Sequence, residues 1–309
     1  MNTPQAKRST KPVGKIVGNY ILYWLARATL TVLRLLPVKV VCAVARVIGL
    51  MAYRMFRKRR KIVATNLRIA TRFLGDEPEN LDQLVREVFC RSSINILVGL
   101  QFSAISSAKV EKFVHLEGIE VFAKAARKGR GVIIVMAHMG PWEALAHFPD
   151  LFRSKGLMMP FAALYRPLNN RPLNKWIKEQ REISGTKMFS REDGFNSPLA
   201  HLRAGGALGV LADQKMKQGP KVGFFGQPAY SNPIPGIFQK RTKAELIGMS
   251  FAKVGKLRWR LTFHQPENMA LEEYHSREDM ALACNQLLEK TMSESLTDVF
   301  WFQRRFLSE

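Results

Sequence analysis

Cysteine is scarce in this 309-residue chain. Three thiols, Cys42, Cys90 and Cys284, lie far apart. They exclude a disulfide framework and a thiolate-rich zinc site, and make a reduced compartment the default. Acidic residues are also few: 25 Asp and Glu face 48 Lys and Arg, a formal net charge of +23. Such an excess points to an anionic partner: a membrane surface, a phosphorylated lipid, an acidic carrier protein or nucleic acid. Nucleic acid falls back, because no helix-turn-helix signature, RNP-like motif or zinc spacing is present and the amino end is apolar. P-loop, dinucleotide-binding and H-E-x-x-H motifs are missing, so no nucleotide cofactor or metal is implied. The G-x-S-x-G elbow of serine hydrolases is missing too; Gly248-Met249-Ser250-Phe251-Ala252 fails at its last position. There are no internal repeats and no low-complexity linker. What remains is 47% hydrophobic and 24% charged, enough for a sizeable core and against wholesale disorder.

An uninterrupted membrane span is lacking as well. Residues 1–15 are polar and basic, with Lys7, Arg8, Lys11 and Lys15. Residues 16–36 are apolar and long enough for a helical span, which needs roughly 20 residues. Arg27 and Arg34 interrupt them, seven apart and so on one helix face. An arginine at mid-bilayer costs about 2.5–3.5 kcal/mol. Residues 38–52 are a second apolar stretch, broken by Lys39 and Arg46, and a dense basic run follows: Arg54, Arg57, Lys58, Arg59, Arg60 and Lys61. Both flanks of this region are positive. A single tilted span would put one of them on the unfavoured side. Two helices hinged at Pro37 and dipping into one leaflet would keep both cytoplasmic. A third reading is an amphipathic core helix with its arginines in water. Tyr20, Tyr23 and Trp24 favour the membrane readings, as an interfacial aromatic belt. No small-residue cleavage site follows, so a signal peptide is not expected. The basic run reads as a solvated helix face, a nucleic-acid patch or a juxtamembrane polybasic segment; its position favours the last. Residues 1–60 are thus expected as a membrane anchor and 61–309 as the main domain.

The rest alternates helix and strand. The pattern predicts helices over 60–74, 80–100, 119–128, 171–184, 198–203 and 276–292. It predicts buried strands over 132–137, 158–164 and 207–212, with later strands over 246–254 and 257–263. Short continuous apolar runs such as 132–137 (VIIVMA) suit a parallel strand buried on both faces. The expected fold is therefore α/β, with a largely parallel central sheet flanked by helices and an amino-terminal hydrophobic, membrane-anchoring helical segment. Ligands in such sheets bind beyond the carboxyl ends of the strands. After the first buried strand come His138, Trp142 and Glu143; after the second, Tyr165 and Arg166; after the third, Asp213 and Gln214.

Neutral imidazole can take a hydroxyl proton near pH 7, and a carboxylate on its other nitrogen fixes the tautomer. His138 and Glu143 are five residues apart. On one helix they would diverge by about 140°. Gly140-Pro141 supplies a turn that lets them converge, and the helix expected to follow offers free N–H groups for an oxyanion. Plainer readings exist. Glu143 is suitably placed to cap that helix, His138 could be structural, Trp142 is packing, Asp213 could cap the next segment and Arg166 could be an ordinary salt bridge.

Gly129-Arg130-Gly131 followed by VIIVMAHMGPWE resembles the H-x4-E block of the bacterial lipid A biosynthesis acyltransferases, the late lauroyl/myristoyl-type enzymes. Further similarities follow in order: Thr65-Asn66-Leu67; Tyr165-Arg166-Pro167 with Asn169 or Asn170, Arg181 and Gly185; Leu211-Ala212-Asp213-Gln214 and Phe224-Phe225-Gly226; and Phe300-Trp301-Phe302 before Arg304-Arg305-Phe306. The resemblance covers roughly residues 15–309. It implies an enzyme at the cytoplasmic face of the bacterial inner membrane. That enzyme would move an acyl chain from acyl carrier protein, or coenzyme A, to a hydroxyl of a phosphorylated glycolipid, a lipid A precursor. It makes His138 the base and Glu143 its orienting partner, and gives Arg166, Asp213 and Gln214 to substrate binding. The chain departs from the family pattern at Tyr230 to Gly236, in the polar Gln239-Lys240-Arg241 and around Ala252-Lys253-Val254. Another glycolipid or lipidic acceptor therefore stays open beside lipid A, as does hydrolysis of the thioester by the same histidine.

Overall fold

The computed structural model describes residues 13–266 and 275–307; Lys7, Arg8 and Lys11 lie outside them. Four helices come first: α1 (Val13–Leu35), α2 (Val38–Met55), α3 (Arg57–Leu74) and α4 (Leu81–Ala104). Pro37, extended and without an N–H, separates α1 from α2. Gly75, at φ 68°, takes the left-handed turn that ends α3. Asn80 opens α4 by accepting from the Gln83 amide at 3.0 Å. The elements that follow are α5 (Ser107–Val110), β1 (Val114–Glu117), α6 (Ile119–Arg127), β2 (Val132–Met136), a 3-10 helix (Trp142–His147), α7 (Phe148–Arg153), β3 (Phe161–Tyr165), α8 (Arg171–Arg181), β4 (Lys187–Ser190), α9 (Asn196–Arg203) and β5 (Ala207–Leu211). The hairpin β6 (Lys221–Phe224) and β7 (Gln227–Tyr230), α10 (Ile234–Thr242), β8 (Glu245–Gly255), β9 (Arg258–His264) and α11 (Arg277–Ser293) complete them.

Seven strands form one sheet in the order β1-β9-β8-β2-β5-β3-β4. β8, β2, β5, β3 and β4 run parallel. β9 is antiparallel to β8 and carries β1 beside it at the sheet edge, so these two strands run the other way. The α/β expectation with a largely parallel sheet describes this arrangement. β2 explains its unbroken apolar sequence. Ile133 and Val135 enter one core with Leu67, Leu202 and Leu288, while Ile134 and Met136 enter the other with Phe122, Phe152 and Ile247. β1, β4, the β6–β7 hairpin and α10 had not been read from the sequence. β1 and β4 are four residues each, and β1 buries only Val114, so neither makes a recognisable apolar run.

Among the described residues, no helix is long and apolar enough to cross a membrane. The tilted span therefore has no helix to carry it among the described residues, and Arg27 and Arg34 interrupt the apolar sequence of α1. The core-helix reading fits in part, because Leu30 and Leu33 are buried and Gln101 Nε2 donates to the Leu33 and Leu36 carbonyls, tying the end of α1 to α4. Most apolar side chains of this region nevertheless face outward. Ile21, Trp24 and Leu25 on α1, and Val47, Met51 and Met55 on α2, are each more than half exposed. Arg27 lies over the Tyr23 and Trp24 rings, 5.6 and 5.4 Å from their centroids, so its charge rests on the aromatic faces. The boundary expected at residue 60 falls inside α3.

The inner face of α2 lies against α4 with no space at Gly49, where a Cβ would stand 2.6 Å from Cys90 Cα. Backbone meets it there, so relief requires the helices to part. Gly49→Leu should cost about 1–3 kcal/mol, as overpacking does, and lower the melting temperature by several degrees. Thermal unfolding in detergent checks this; an unchanged melting temperature would mean that α2 is not held by α4.

Candidate active site

β2, β5 and β3 are neighbours, and their carboxyl ends open on one cavity of about 600 Å³. The parallel register pairs Met136 with Leu211. His138 and Asp213, each two residues further on, are thereby brought side by side. His138 Nδ1 lies 2.7 Å from Asp213 Oδ1. An ionised carboxylate only accepts, so Nδ1 carries the proton and Nε2 is left as the basic nitrogen. Nε2 has no hydrogen bond among the described residues, and His138 lines the cavity. Burial alone would lower the His138 pKa. The charge and hydrogen bond of Asp213, helped by the charge of Glu143, outweigh it and raise the pKa above the ordinary value.

The partner of the imidazole is thus Asp213, and the expected His138–Glu143 hydrogen bond is replaced. Gly140, at φ 61°, does turn the chain. The following 3-10 helix points Glu143 at α8, where Arg181 grips it through Nε at 2.9 Å and Nη2 at 2.6 Å. This is a two-pronged, charge-assisted pair. Burial would lower the Arg181 pKa, but Glu143 raises it overall. Glu143 therefore acts on His138 through space, as a nearby negative charge, and ties α8 to the histidine turn. The helix expected after Pro141 is a short 3-10 turn. Its first amides are partly occupied: Trp142 N bonds the Gly140 carbonyl at 3.0 Å and Ala144 N the Pro141 carbonyl at 2.9 Å. The amide donors expected there for an oxyanion are correspondingly reduced. Trp142 packs edge-on to His138 at 5.6 Å between centroids.

The histidine turn is held from behind. Phe300 N donates to the His138 carbonyl at 2.8 Å, and Gly140 N to the Asp298 carbonyl at 3.2 Å. The Asp298 carboxylate is buried and accepts from Asn95 Nδ2, Lys253 N and Ser295 Oγ. Gly140 has no room for a side chain, since a Cβ would fall 2.1 Å from the Phe251 carbonyl oxygen. Asn66 reaches the same carboxyl-terminal segment, donating to the Trp301 and Gln303 carbonyls at 2.9 and 2.8 Å.

Arg166 and Gln214 are exposed at the cavity rim, where Lys215 joins them. Arg191 in the cavity wall was not singled out in the sequence. It follows β4, a strand too short to announce itself. Burial lowers its pKa, and the like charge of Arg166 lowers it further. Its buried Nε has no partner. Its Nη2 donates to the Leu211 carbonyl at 3.4 Å, but neither Arg191 nor Arg166 has an ion pair among the described residues, which suits an anionic ligand. The inner part is apolar, lined by Ile134, Met136, Phe148, Phe161 and Ala162, with Gly209 opening space beside Met136. A second grouping, Ser107, Asp150, His147 and Ser184, is not a triad. His147 Nε2 is spent on the Phe102 carbonyl at 2.8 Å, and Asp150 accepts from Ser107 rather than from the imidazole.

A family profile described as bacterial lipid A biosynthesis acyltransferase matches residues 14–308. The lipid A biosynthesis palmitoleoyltransferase of Escherichia coli (strain K12) is 24% identical over 291 residues, 92% of this chain and 91% of that protein. The lipid A biosynthesis lauroyltransferase of the same organism is 25% identical over 179 residues, 56% of this chain and 54% of that protein. A lipid A biosynthesis acyltransferase of Haemophilus influenzae (strain ATCC 51907 / DSM 11121 / KW20 / Rd) is 24% identical over 298 residues, covering 94% and 92%.

If His138 works as a base, only its neutral form is active, and the acid limb of the kcat/KM profile should report its raised pKa. Asp213→Asn removes the charge that raises it most, so the limb should move to lower pH while the rate falls by about 10²–10⁴-fold. A pH–rate profile of both proteins checks the sign. An unmoved limb would separate Asp213 from the titration of His138.

Proposed function

The chain belongs to the bacterial lipid A biosynthesis acyltransferase family and is an acyltransferase; we propose that His138, oriented by Asp213, is the base that moves a fatty acyl chain from a thioester to a hydroxyl of a lipid A-type glycolipid. One observation carries this reading. An imidazole with its proton directed to a buried carboxylate presents its free nitrogen to a cavity that is cationic at the mouth and apolar inside. Acyl transfer needs each of these features. Nε2 takes the hydroxyl proton as the oxygen attacks the thioester carbonyl. Asp213 stabilises the imidazolium that forms, and the departing thiolate recovers the proton. Arg166, Arg191 and Lys215 meet phosphate or developing negative charge, with Gln214 as a neutral donor at the rim. Glu143 contributes its field and, through Arg181, the position of α8. The acyl chain lies in the apolar interior, where each buried CH₂ contributes about 0.8 kcal/mol.

The donor in this proposal is a thioester of acyl carrier protein or coenzyme A. Residues 1–60 are its anchoring part and residues 61–309 its acyl-transfer domain, with α3 running across the division. The outward apolar faces of α1 and α2, with Lys39 and Arg54 exposed on α2, suit an amphipathic pair lying in the interface of an anionic leaflet. This corresponds to the cytoplasmic face of the inner membrane.

Radiolabelled acyl thioesters supplied with a lipid A precursor test the reading. Labelled lipid should form with wild type, and His138→Ala should reduce it by at least about 10²-fold. Variant activity above one tenth of wild type, or label found only as free fatty acid, would contradict it. The same assay reads the chain seat. A Cβ at Gly209 would lie 2.8 Å from Met136 Cε. Gly209→Ala should therefore push the methionine into the cavity and shift preference to shorter chains. An unchanged chain-length profile would place the acyl group elsewhere.

A further inference from the structure

A second cavity, of about 860 Å³, lies away from the histidine, between α3 and the carboxyl-terminal segment. Lys58, Lys61, Arg68 and Arg72 line one side and Arg304 and Arg305 the other. Among the described residues no carboxylate lines it. Its floor is apolar, made by Ile62, Ile69, Phe73, Phe225 and Phe306. The positions from Lys58 to Phe73 span about 22 Å of helix at 1.5 Å per residue. Most of these charges are not needed by the fold. Lys58, Lys61, Arg68 and Arg304 are exposed and have no ion pair among the described residues, whereas Arg72 meets Glu77 and the buried Arg305 stacks on Phe224 at 4.2 Å.

We propose that this groove is the docking site for the acidic carrier protein that presents the acyl thioester, and that it receives a negatively charged amphipathic helix of that protein. The inference rests on the acyl-transfer reading and specifies its donor. Three features select a helix over a single phosphate group. The cations are strung along both rims instead of converging on one point. The floor between them is apolar, as a helix-binding groove requires. The length matches roughly four turns of helix. The groove also ends at the right place. Gln303 lines the catalytic cavity, and its Oε1 accepts from the Lys215 amide at 2.7 Å, while the next residue, Arg304, lines the groove. A carrier docked along α3 would therefore hold its thioester arm beside the mouth that contains His138.

The test uses the full chain in detergent, acyl-loaded acyl carrier protein, and the matching coenzyme A thioester. Binding of the carrier protein is measured directly, without turnover, for wild type and for Lys61→Glu, Arg68→Glu and Arg304→Glu, singly and together. Wild type should bind, more weakly as salt rises. The combined variant should lose at least tenfold in binding and raise KM for the carrier-bound donor by a similar factor. Its melting temperature and its kinetics with the coenzyme A thioester should stay at wild-type values. Absent wild-type binding, or undiminished binding by the variants, would overturn the proposal. So would a rise confined to the KM of the lipid acceptor, which would give the groove to a phosphorylated amphiphile. A wild type that binds the carrier but transfers no acyl group would instead refute the acyl-transfer reading and leave the groove assigned.

Discussion

Met136 pairs with Leu211 in a parallel ladder, and two residues beyond that pair the chain places His138 Nδ1 at 2.7 Å from Asp213 Oδ1. This register is the constraint on which the site depends. A slip of one residue would turn alternate side chains to the other face of the sheet. It is well guarded: β2 is buried on both faces, so a slip would exchange Ile133 and Val135 with Ile134 and Met136 between two differently shaped cores. The same strand ends supply the rest of the cavity. β3 delivers Arg166 to the rim, the space beside Met136 opens at Gly209 of β5, and the cross-link of α8 to Glu143 closes one side.

Charge is distributed unequally around this frame. Inside, carboxylates are committed: Asp213 to the imidazole, Glu143 to Arg181, and Asp298 to the backbone and side chains that hold the histidine turn. At the cavity rim Arg166, and along α3 Lys58, Lys61 and Arg68, have no ion pair among the described residues. The net charge of +23 is thus partly concentrated where anionic ligands would arrive, and burial of Arg191 beside Arg166 sharpens the need for one. The apolar faces of α1 and α2 add a third kind of surface. An exposed apolar side, a cationic groove and an apolar cavity beside an imidazole occur together on one chain.

Much of this was legible in the sequence. Buried parallel strands announce themselves as unbroken apolar runs, and polar residues directly after three of them mark the cavity. That rule brought His138, Glu143, Arg166, Asp213 and Gln214 to one place. It could not say which carboxylate meets the imidazole. Spacing along the chain favours Glu143, five residues away, over Asp213, 75 residues away. Strand register, which decides the matter, is a property of two segments and is invisible in either. Arg191 was missed for a similar reason, since the short β4 that positions it gives no periodic signal. At the amino end, Arg27 and Arg34 correctly warned against a clean span, and Pro37 marked the hinge.

Proton removal by His138 depends on the protonation state of one ring. Nitrogen-15 NMR of His138, recorded above its pKa in wild type, reads that state directly. The proton is expected on Nδ1, shared with Asp213, with an unprotonated Nε2 facing the cavity. A proton found on Nε2 would leave no base at the place where the hydroxyl must arrive, and would contradict the assignment.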